Sequence, residues 1–224
     1  MRRSATLSHL TWPCAVVLAL ASASTSLALE KKENPVQEKP KPEQKVGTTL
    51  DNLQAAYDGE SNANARYVAF AKKADEEGYG QVASLFRAAA RAEEIHAKTH
   101  ADVITKLGGT PKKDIQKLDV KSTKENLEAA LKGEKYEYDV MYPAFIKKAK
   151  ADGQKDALRS FNYAKTAEGE HAKLYQSALD NLKDWKGGKK DFFVCGVCGY
   201  TVTKIDFEKC PSCFSPKDVY EKVN

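Results

Sequence analysis

The chain has 224 residues, with 36 Lys and Arg against 31 Asp and Glu, and a formal net charge of +5 at pH 7. Hydrophobic residues make up 42% of it, enough for a sizeable core, and the positive excess is small and dispersed, which argues for solvated surfaces and against nucleic-acid binding. No phosphate-binding loop or nucleophile-elbow motif is present.

Residues 1–28 read as a signal peptide. Arg2 and Arg3 precede an apolar stretch from Cys14 to Ala21, and Ser26, Leu27 and Ala28 form a small-x-small cleavage site. The apolar run is too short to remain as a membrane span in the mature chain, so export to the periplasm is expected. The twin arginines leave Sec and twin-arginine export both open. Residues 29–47 form a Lys, Glu and Pro tract with few apolar residues, expected to be a disordered linker.

Residues 48–186 contain four runs with helical periodicity, and each carries acid on its apolar stripe. In the first, Leu53, Ala56, Tyr57, Tyr67, Phe70 and Ala74 surround Glu60. In the second, Glu93 and His96 fall among Val82, Leu85, Phe86, Ala89, Val103 and Leu107. In the third, Glu134 and Glu137 fall among Leu127, Leu131, Met141, Tyr142 and Phe145; in the fourth, Glu168 and His171 fall among Leu158, Phe161, Ala164, Tyr175, Ala178 and Leu182. Residues i and i+3 share a helix face, so each Glu-x-x-His pair aims a carboxylate and an imidazole at one point. An isolated pair of this kind is usually an exposed ion pair, but a charge in a core slot costs several kcal/mol unless it is paired or metal-bound. Five carboxylates with two imidazoles are a hard ligand set. It favours iron or manganese, and a di-iron centre is expected.

The two halves repeat. Residues 67–78 (YVAFAKKADEEG) align with 142–153 (YPAFIKKAKADG) at an offset of 75, which also carries Glu93 onto Glu168 and His96 onto His171. Glu60 aligns with Glu134 at an offset of 74, so the second half holds one extra residue between Glu134 and Tyr142. A π-bulge near Glu137 would absorb it. Glycine breakers at Gly78, Gly80 and Gly153 predict two antiparallel helical hairpins with all seven ligands at one level. Between the hairpins, residues 108–121 are long enough to run the length of the bundle, and Ser122 with Glu125 forms a capping box opening the third helix. That long crossover is the ferritin-like connection. Tyr67 and Tyr142 occupy matching places in the repeat, following Glu60 and Glu137, where their hydroxyls could bond ligand carboxylates or simply fill the core. His100, one turn beyond His96, is expected outside the ligand set.

Residues 187–191 read as a flexible linker, and residues 192–224 as a separate module. Cys195-x2-Cys198 and Cys210-x2-Cys213 place four thiolates for one tetrahedral ion, iron or zinc, in preference to two disulfides. The flanking Gly199, Tyr200 and Pro211 resemble rubredoxin, although Phe214 stands where a small residue is usual.

Together, Gly59-Glu60-Ser61, Glu93-x-x-His96, Gly133-Glu134-x-x-Glu137, Met141-Tyr142-Pro143, Glu168-x-x-His171 and the four cysteines resemble the rubrerythrin family over almost the whole chain from Thr48 to Val223. The resemblance implies an all-α, ferritin-like four-helix bundle followed by a small rubredoxin-like β module. It implies a non-haem di-iron peroxidase of oxidative-stress protection, reducing hydrogen peroxide to water. Electrons would come through the rubredoxin-like iron from an upstream, NADH-linked donor protein. It also implies that Glu93 and Glu168 bridge the irons, with Glu60 terminal on the first and Glu134 and His171 on the second. His96 and Glu137 would exchange on the first iron with redox state. The catalytic set is then these seven residues with Tyr67 and Tyr142. The family's head-to-tail dimers imply a homodimer, head-to-tail or domain-swapped. Ferroxidase or iron-binding activity, and simple electron transfer, are the alternatives.

Overall fold

A computed structural model describes residues 45–224; the signal-peptide expectation and nearly all of the linker before the bundle lie outside the described residues. The main body is a bundle built from two helical hairpins. Helix α1 (Thr49–Glu76) opens on a reciprocal capping box between Thr48 and Asp51. It turns at Gly78, whose φ of 77° is one that glycine adopts without penalty, into α2 (Gly80–Lys106). The second hairpin starts with α3 (Thr123–Tyr136), capped by Ser122 and Glu125 as expected. It then passes through a π-helical turn, Glu137–Met141, into α4 (Tyr142–Ala151), and after Gly153 into α5 (Lys155–Asp180). Helices α3 and α4 with the π turn form the third rod of the bundle.

The π turn is where the inserted residue sits. Pro143 opens α4 and has no N–H to offer the preceding turn, so it coincides with the break in regular i to i−4 bonding. The crossover between α2 and α3 runs along α1 and is stitched to it. Asp114 N–H donates to Asp58 Oδ1 at 2.7 Å, and Gln116 N–H donates to Asn62 Oδ1 at 2.8 Å. No helix among the described residues is long and apolar enough to cross a membrane.

The core is split in two. One apolar cluster contains Tyr67, Phe70, Phe86, Leu127 and Tyr175; the other contains Leu53, Ile104, Tyr142, Phe145 and Phe161. Glu60, Glu134 and Glu168 lie between the stretches that feed these clusters, and on α2 Glu93 sits at the edge of the first cluster with His96 just beyond it, so the bundle has a polar belt with apolar packing on both sides.

The C-terminal module is a three-stranded antiparallel sheet of order β2-β1-β3, with β1 Phe192–Cys195, β2 Thr201–Val202 and β3 Tyr220–Val223. It packs on the bundle of its own chain. Phe192 and Val194 join the first apolar cluster beside Trp185, and the Trp185 and Phe192 rings stack at 6.4 Å. The connection expected to be flexible is instead pinned. Gly80 N–H donates to Gly187 O and Gly187 N–H to Gly78 O, both at 3.1 Å, and Lys190 N–H donates to Ser84 Oγ at 3.2 Å. A side chain at Gly80 would strike the Gly187 carbonyl, which is why backbone can dock on backbone here.

Arg91 on α2 clasps the module through two bonds to Glu221 of β3, Nε to Oε2 at 2.8 Å and Nη2 to Oε1 at 2.9 Å. The guanidinium holds the Glu221 carboxyl below its usual range. A lowered folded-state pKa means the stabilisation is complete above the ordinary carboxylate range and is lost as pH falls through the lowered value. The pair is partly exposed, so its contribution is about 0.5–1 kcal/mol. Arg91→Ala is therefore expected to speed amide hydrogen exchange in β3 at neutral pH. The difference from the unsubstituted protein should shrink on acidification below about pH 4; a difference that does not change with pH would contradict the assignment.

Candidate metal centre

The belt gathers two groups of ligand atoms. Glu60, Glu93, His96 and Glu168 form one, and Glu93, Glu134, Glu168 and His171 the other, with the atoms of each group within 4.8 Å of one another. Glu93 and Glu168 belong to both groups and thus stand between them. Each comes from a Glu-x-x-His helix, and one helical turn brings its histidine to the same face. His96 Nδ1 lies 2.9 Å from Glu93 Oε2 and 3.1 Å from Glu168 Oε1; His171 Nδ1 lies 3.0 Å from Glu168 Oε2 and 3.4 Å from Glu93 Oε1. Glu137 lies in neither group. It occupies the first position of the π turn and is half-buried, whereas Glu60, Glu93, Glu134 and Glu168 are each at most 1% exposed.

The electrostatics follow from that burial. Desolvation, reinforced by the charges of Glu137, Glu168 and Glu93, pushes Glu60 well above the usual carboxylate range. Glu134 is raised by burial and then by Glu93 and Glu168. Glu137 is likewise raised by burial and by Glu168 and Glu93. Burial acts on Glu93 in the same direction, but His171 and His96 flank it and bring it down to about 2. Burial opposes charge on both imidazoles, yet Glu168 raises His96 and Glu93 raises His171. The two histidines thus become the cations of a site with too many anions.

Several atoms here remain unspent. Glu60 Oε2, Glu93 Oε1, both carboxylate oxygens of Glu168 and His171 Nδ1 are buried without a partner of hydrogen-bonding geometry. An orphaned buried polar atom costs about 1–3 kcal/mol, more when charged. Five such atoms facing a common belt fit a pair of hard cations, which would accept their lone pairs and displace the imidazolium protons.

The tyrosines do take part, but across the bundle. Tyr67 donates to Glu134 Oε1 at 2.6 Å, and Tyr142 donates to Glu60 Oε1. Seven residues of helix separate Tyr67 from Glu60 by roughly 10 Å, so the carboxylate on a facing helix is nearer than the one on its own. Glu60 and Glu134, each a member of one ligand group alone, therefore each have one oxygen tied to a phenol. In Glu60 the other oxygen is the orphan, directed to its ligand group.

The C-terminal module closes the site. His96 Nε2 lies 3.1 Å from the Cys198 carbonyl, and His171 Nε2 lies 3.1 Å from Thr201 Oγ1. A carbonyl only accepts, so His96 carries its proton on Nε2. Thr201 donates to Gly199 O at 2.9 Å, so its oxygen accepts from His171 Nε2–H. Both imidazoles are thereby set with Nδ1 toward the belt. Gly199, at φ 74°, makes the approach possible, since a Cβ there would lie 2.3 Å from His96 Nε2. Neither Thr201 nor this contact was legible in the sequence, because nothing local encodes which face of the module meets the bundle.

In the module, Cys195, Cys198, Cys210 and Cys213 converge as free thiols. Sγ separations of 3.6 Å for Cys195–Cys213 and Cys198–Cys210 are far too long for disulfides and match the edge of a tetrahedral metal–thiolate site. Its Cys198 neighbour lowers Cys195 to about 5, making it the first to ionise. The two knuckles mirror each other: Gly199 N–H donates to Cys195 O at 2.9 Å and Phe214 N–H to Cys210 O at 3.0 Å. Phe214 therefore adopts the left-handed conformation, φ 61°, that its knuckle demands, at a cost of about 1–2 kcal/mol, with its ring 72% exposed.

Comparison with known proteins agrees with this geometry. The rubrerythrin family model matches residues 51–179. Nigerythrin of Nitratidesulfovibrio vulgaris is 43% identical over 176 residues, covering 78% of this chain and 86% of the relative. Rubrerythrin-2 of Clostridium acetobutylicum is 37% identical, covering 79% of this chain and 97% of the relative. A solved structure of fully reduced, all-ferrous nigerythrin superposes with a TM-score of 0.74 at 41% identity, covering 80% of this chain and 88% of that one. With its two carboxylate–histidine groups for a di-iron centre and its four cysteines for a rubredoxin-like iron site, the chain belongs to the rubrerythrin family.

Proposed function

We propose that this protein reduces hydrogen peroxide to water, with electrons passing one at a time from the four-cysteine iron to the bundle. The observation that carries this reading is the 3.1 Å contact between His96 Nε2 and the carbonyl of Cys198, which joins a ligand of one metal site to a ligand residue of the other. An iron-storage or ferroxidase protein needs no dedicated electron carrier against its di-iron site.

Two ferrous ions held there would supply both electrons for O–O cleavage, with two protons taken up to leave two waters, so no one-electron radical step would be needed. Glu93 and Glu168, common to both ligand groups, would be shared by the two metals, with Glu60 and His96 holding one and Glu134 and His171 the other. Glu137, half-buried on its π turn, would be the ligand held in reserve, free to exchange with His96. Tyr67 and Tyr142 keep one oxygen of each terminal carboxylate occupied. Because the module rests on its own bundle, short transfer does not require a second subunit; a homodimer with exchanged modules would build the same contact. An upstream donor protein reduces the module.

Glu93→Ala is expected to lower peroxide consumption by the reduced protein at least 100-fold, measured by stopped-flow with the four-cysteine site intact. Turnover of dioxygen or ferrous iron much faster than peroxide would overturn the reading. Gly199→Ala tests the contact, because its Cβ would lie against His96. It should slow re-reduction of the bundle through the module at least 10-fold, and by more than it slows peroxide consumption by a chemically reduced bundle, whose loss reports the orientation of His96. Re-reduction at the former rate would remove the electron-transfer role of the contact.

We further propose export to the periplasm with cleavage after Ala28, on the pattern of the first 28 residues. N-terminal sequencing of the mature protein should begin at Leu29; an intact Met1 in the membrane fraction would mean a retained anchor.

A further inference from the structure

Glu60 ends a buried hydrogen-bond chain that metal ligation alone does not require. Ser160 Oγ lies 2.6 Å from His100 Nδ1, His100 Nε2 lies 3.1 Å from the Tyr142 hydroxyl, and Tyr142 donates to Glu60 Oε1. None of the four residues is more than 2% exposed. The imidazole is held between the rings of Phe161 and Tyr142, with centroids 5.5 and 6.0 Å away.

The direction of this chain is determined by proton counting. A ligating carboxylate is ionised and only accepts, so Tyr142 commits its single proton to Oε1. The phenol oxygen then accepts from His100, which must carry its proton on Nε2. His100 Nδ1 is left to accept from Ser160. Every donor points toward Glu60.

The internal repeat supplies the comparison. The offset of 75 that maps His96 onto His171 maps His100 onto Tyr175, Tyr67 onto Tyr142, and Leu85 onto Ser160. On the Glu134 side Tyr67 is backed only by the Tyr175 hydroxyl, which is buried close to it but off full hydrogen-bonding geometry, and Leu85 has nothing to donate beyond it. The two halves of the site match in their ligands and differ in what stands behind the terminal carboxylate. The supported side is the one that also holds His96, and Glu60 feels the charge of Glu137 more than Glu134 does.

We propose that His100 and Ser160 are positioning residues for Glu60. By fixing the phenol proton on Oε1 they keep Oε2 directed at the first ligand group, so that Glu60 holds its place while His96 and Glu137 exchange. This rests on Glu60 as a metal ligand and does not depend on peroxide being the substrate.

The test is Co2+ binding by the full chain with its four-cysteine site first loaded with zinc. The half-sites are resolved by the hyperfine-shifted ring protons of His96 and His171. His100→Leu should weaken Co2+ binding at the His96 half-site by about 10-fold and Ser160→Ala by about 3-fold, with less than about 2-fold change at the His171 half-site. His100→Gln, whose amide still donates to Tyr142, should recover most of the affinity. Tyr175→Phe, the repeat counterpart, should leave both half-sites unchanged. Equal weakening of both half-sites by Ser160→Ala, or no rescue by His100→Gln relative to His100→Leu, would overturn the proposal. If His100→Leu does not fold, Ser160→Ala against Tyr175→Phe decides alone. Failure of the unsubstituted bundle to take up Co2+ would instead strike the ligand reading beneath it.

Discussion

Everything in this molecule depends on placing five carboxylates inside a helical bundle. Each would cost several kcal/mol if left charged and unpaired, and their mutual repulsion adds to that cost. The sequence confines them to one level, so that Leu53, Phe145 and Phe161 pack on one side of the belt and Phe70, Phe86 and Leu127 on the other. Apolar packing above and below holds the carboxylates close even though they repel. Cations at the centre turn that stored repulsion into ligation, which is why metal binding and native packing should be linked in this fold.

The belt is not symmetric, although it descends from a repeat. The extra residue in the second half becomes a π turn at Glu137–Met141, and the helix recovers its register at Pro143. Moving one acid onto that turn gives it a partly exposed position outside both ligand groups, while its four partners stay sealed. A ligand that is to move must be able to reach water at one end of its travel.

Much of this was legible in the sequence because its causes are local or periodic. Apolar spacing located the helices, Thr48 is a further instance of the capping logic read at Ser122, and the mismatch between offsets of 74 and 75 located the π turn. The four-cysteine site was readable because two tight knuckles fix thiolate positions by themselves. What escaped depends on packing between distant elements. Tyr67 and Tyr142 were read against carboxylates on their own helices, but the bundle's cross-section brings the opposite helix closer. Glycines 187 and 188 suggested freedom. Gly80 opposite them, with no side chain to fend off the backbone, removes it. Ser160 carries no signal of its own in the sequence, since its meaning depends on His100, 60 residues away.

Docking of the module joins two properties that are usually separate. The carbonyl of Cys198 and the hydroxyl of Thr201 decide which nitrogen of His96 and His171 faces the belt, and Cys198 is also the residue through which the proposed electron path leaves the thiolate site. A module displaced by a few ångströms would break that path. It would also release both imidazoles from the acceptors that keep Nδ1 turned inward, allowing the other tautomer. Electron supply and ligand orientation therefore rise and fall together. The pinned linker, the Arg91–Glu221 clasp and the Trp185–Phe192 stack serve chemistry as much as stability, because they hold the one surface on which both depend.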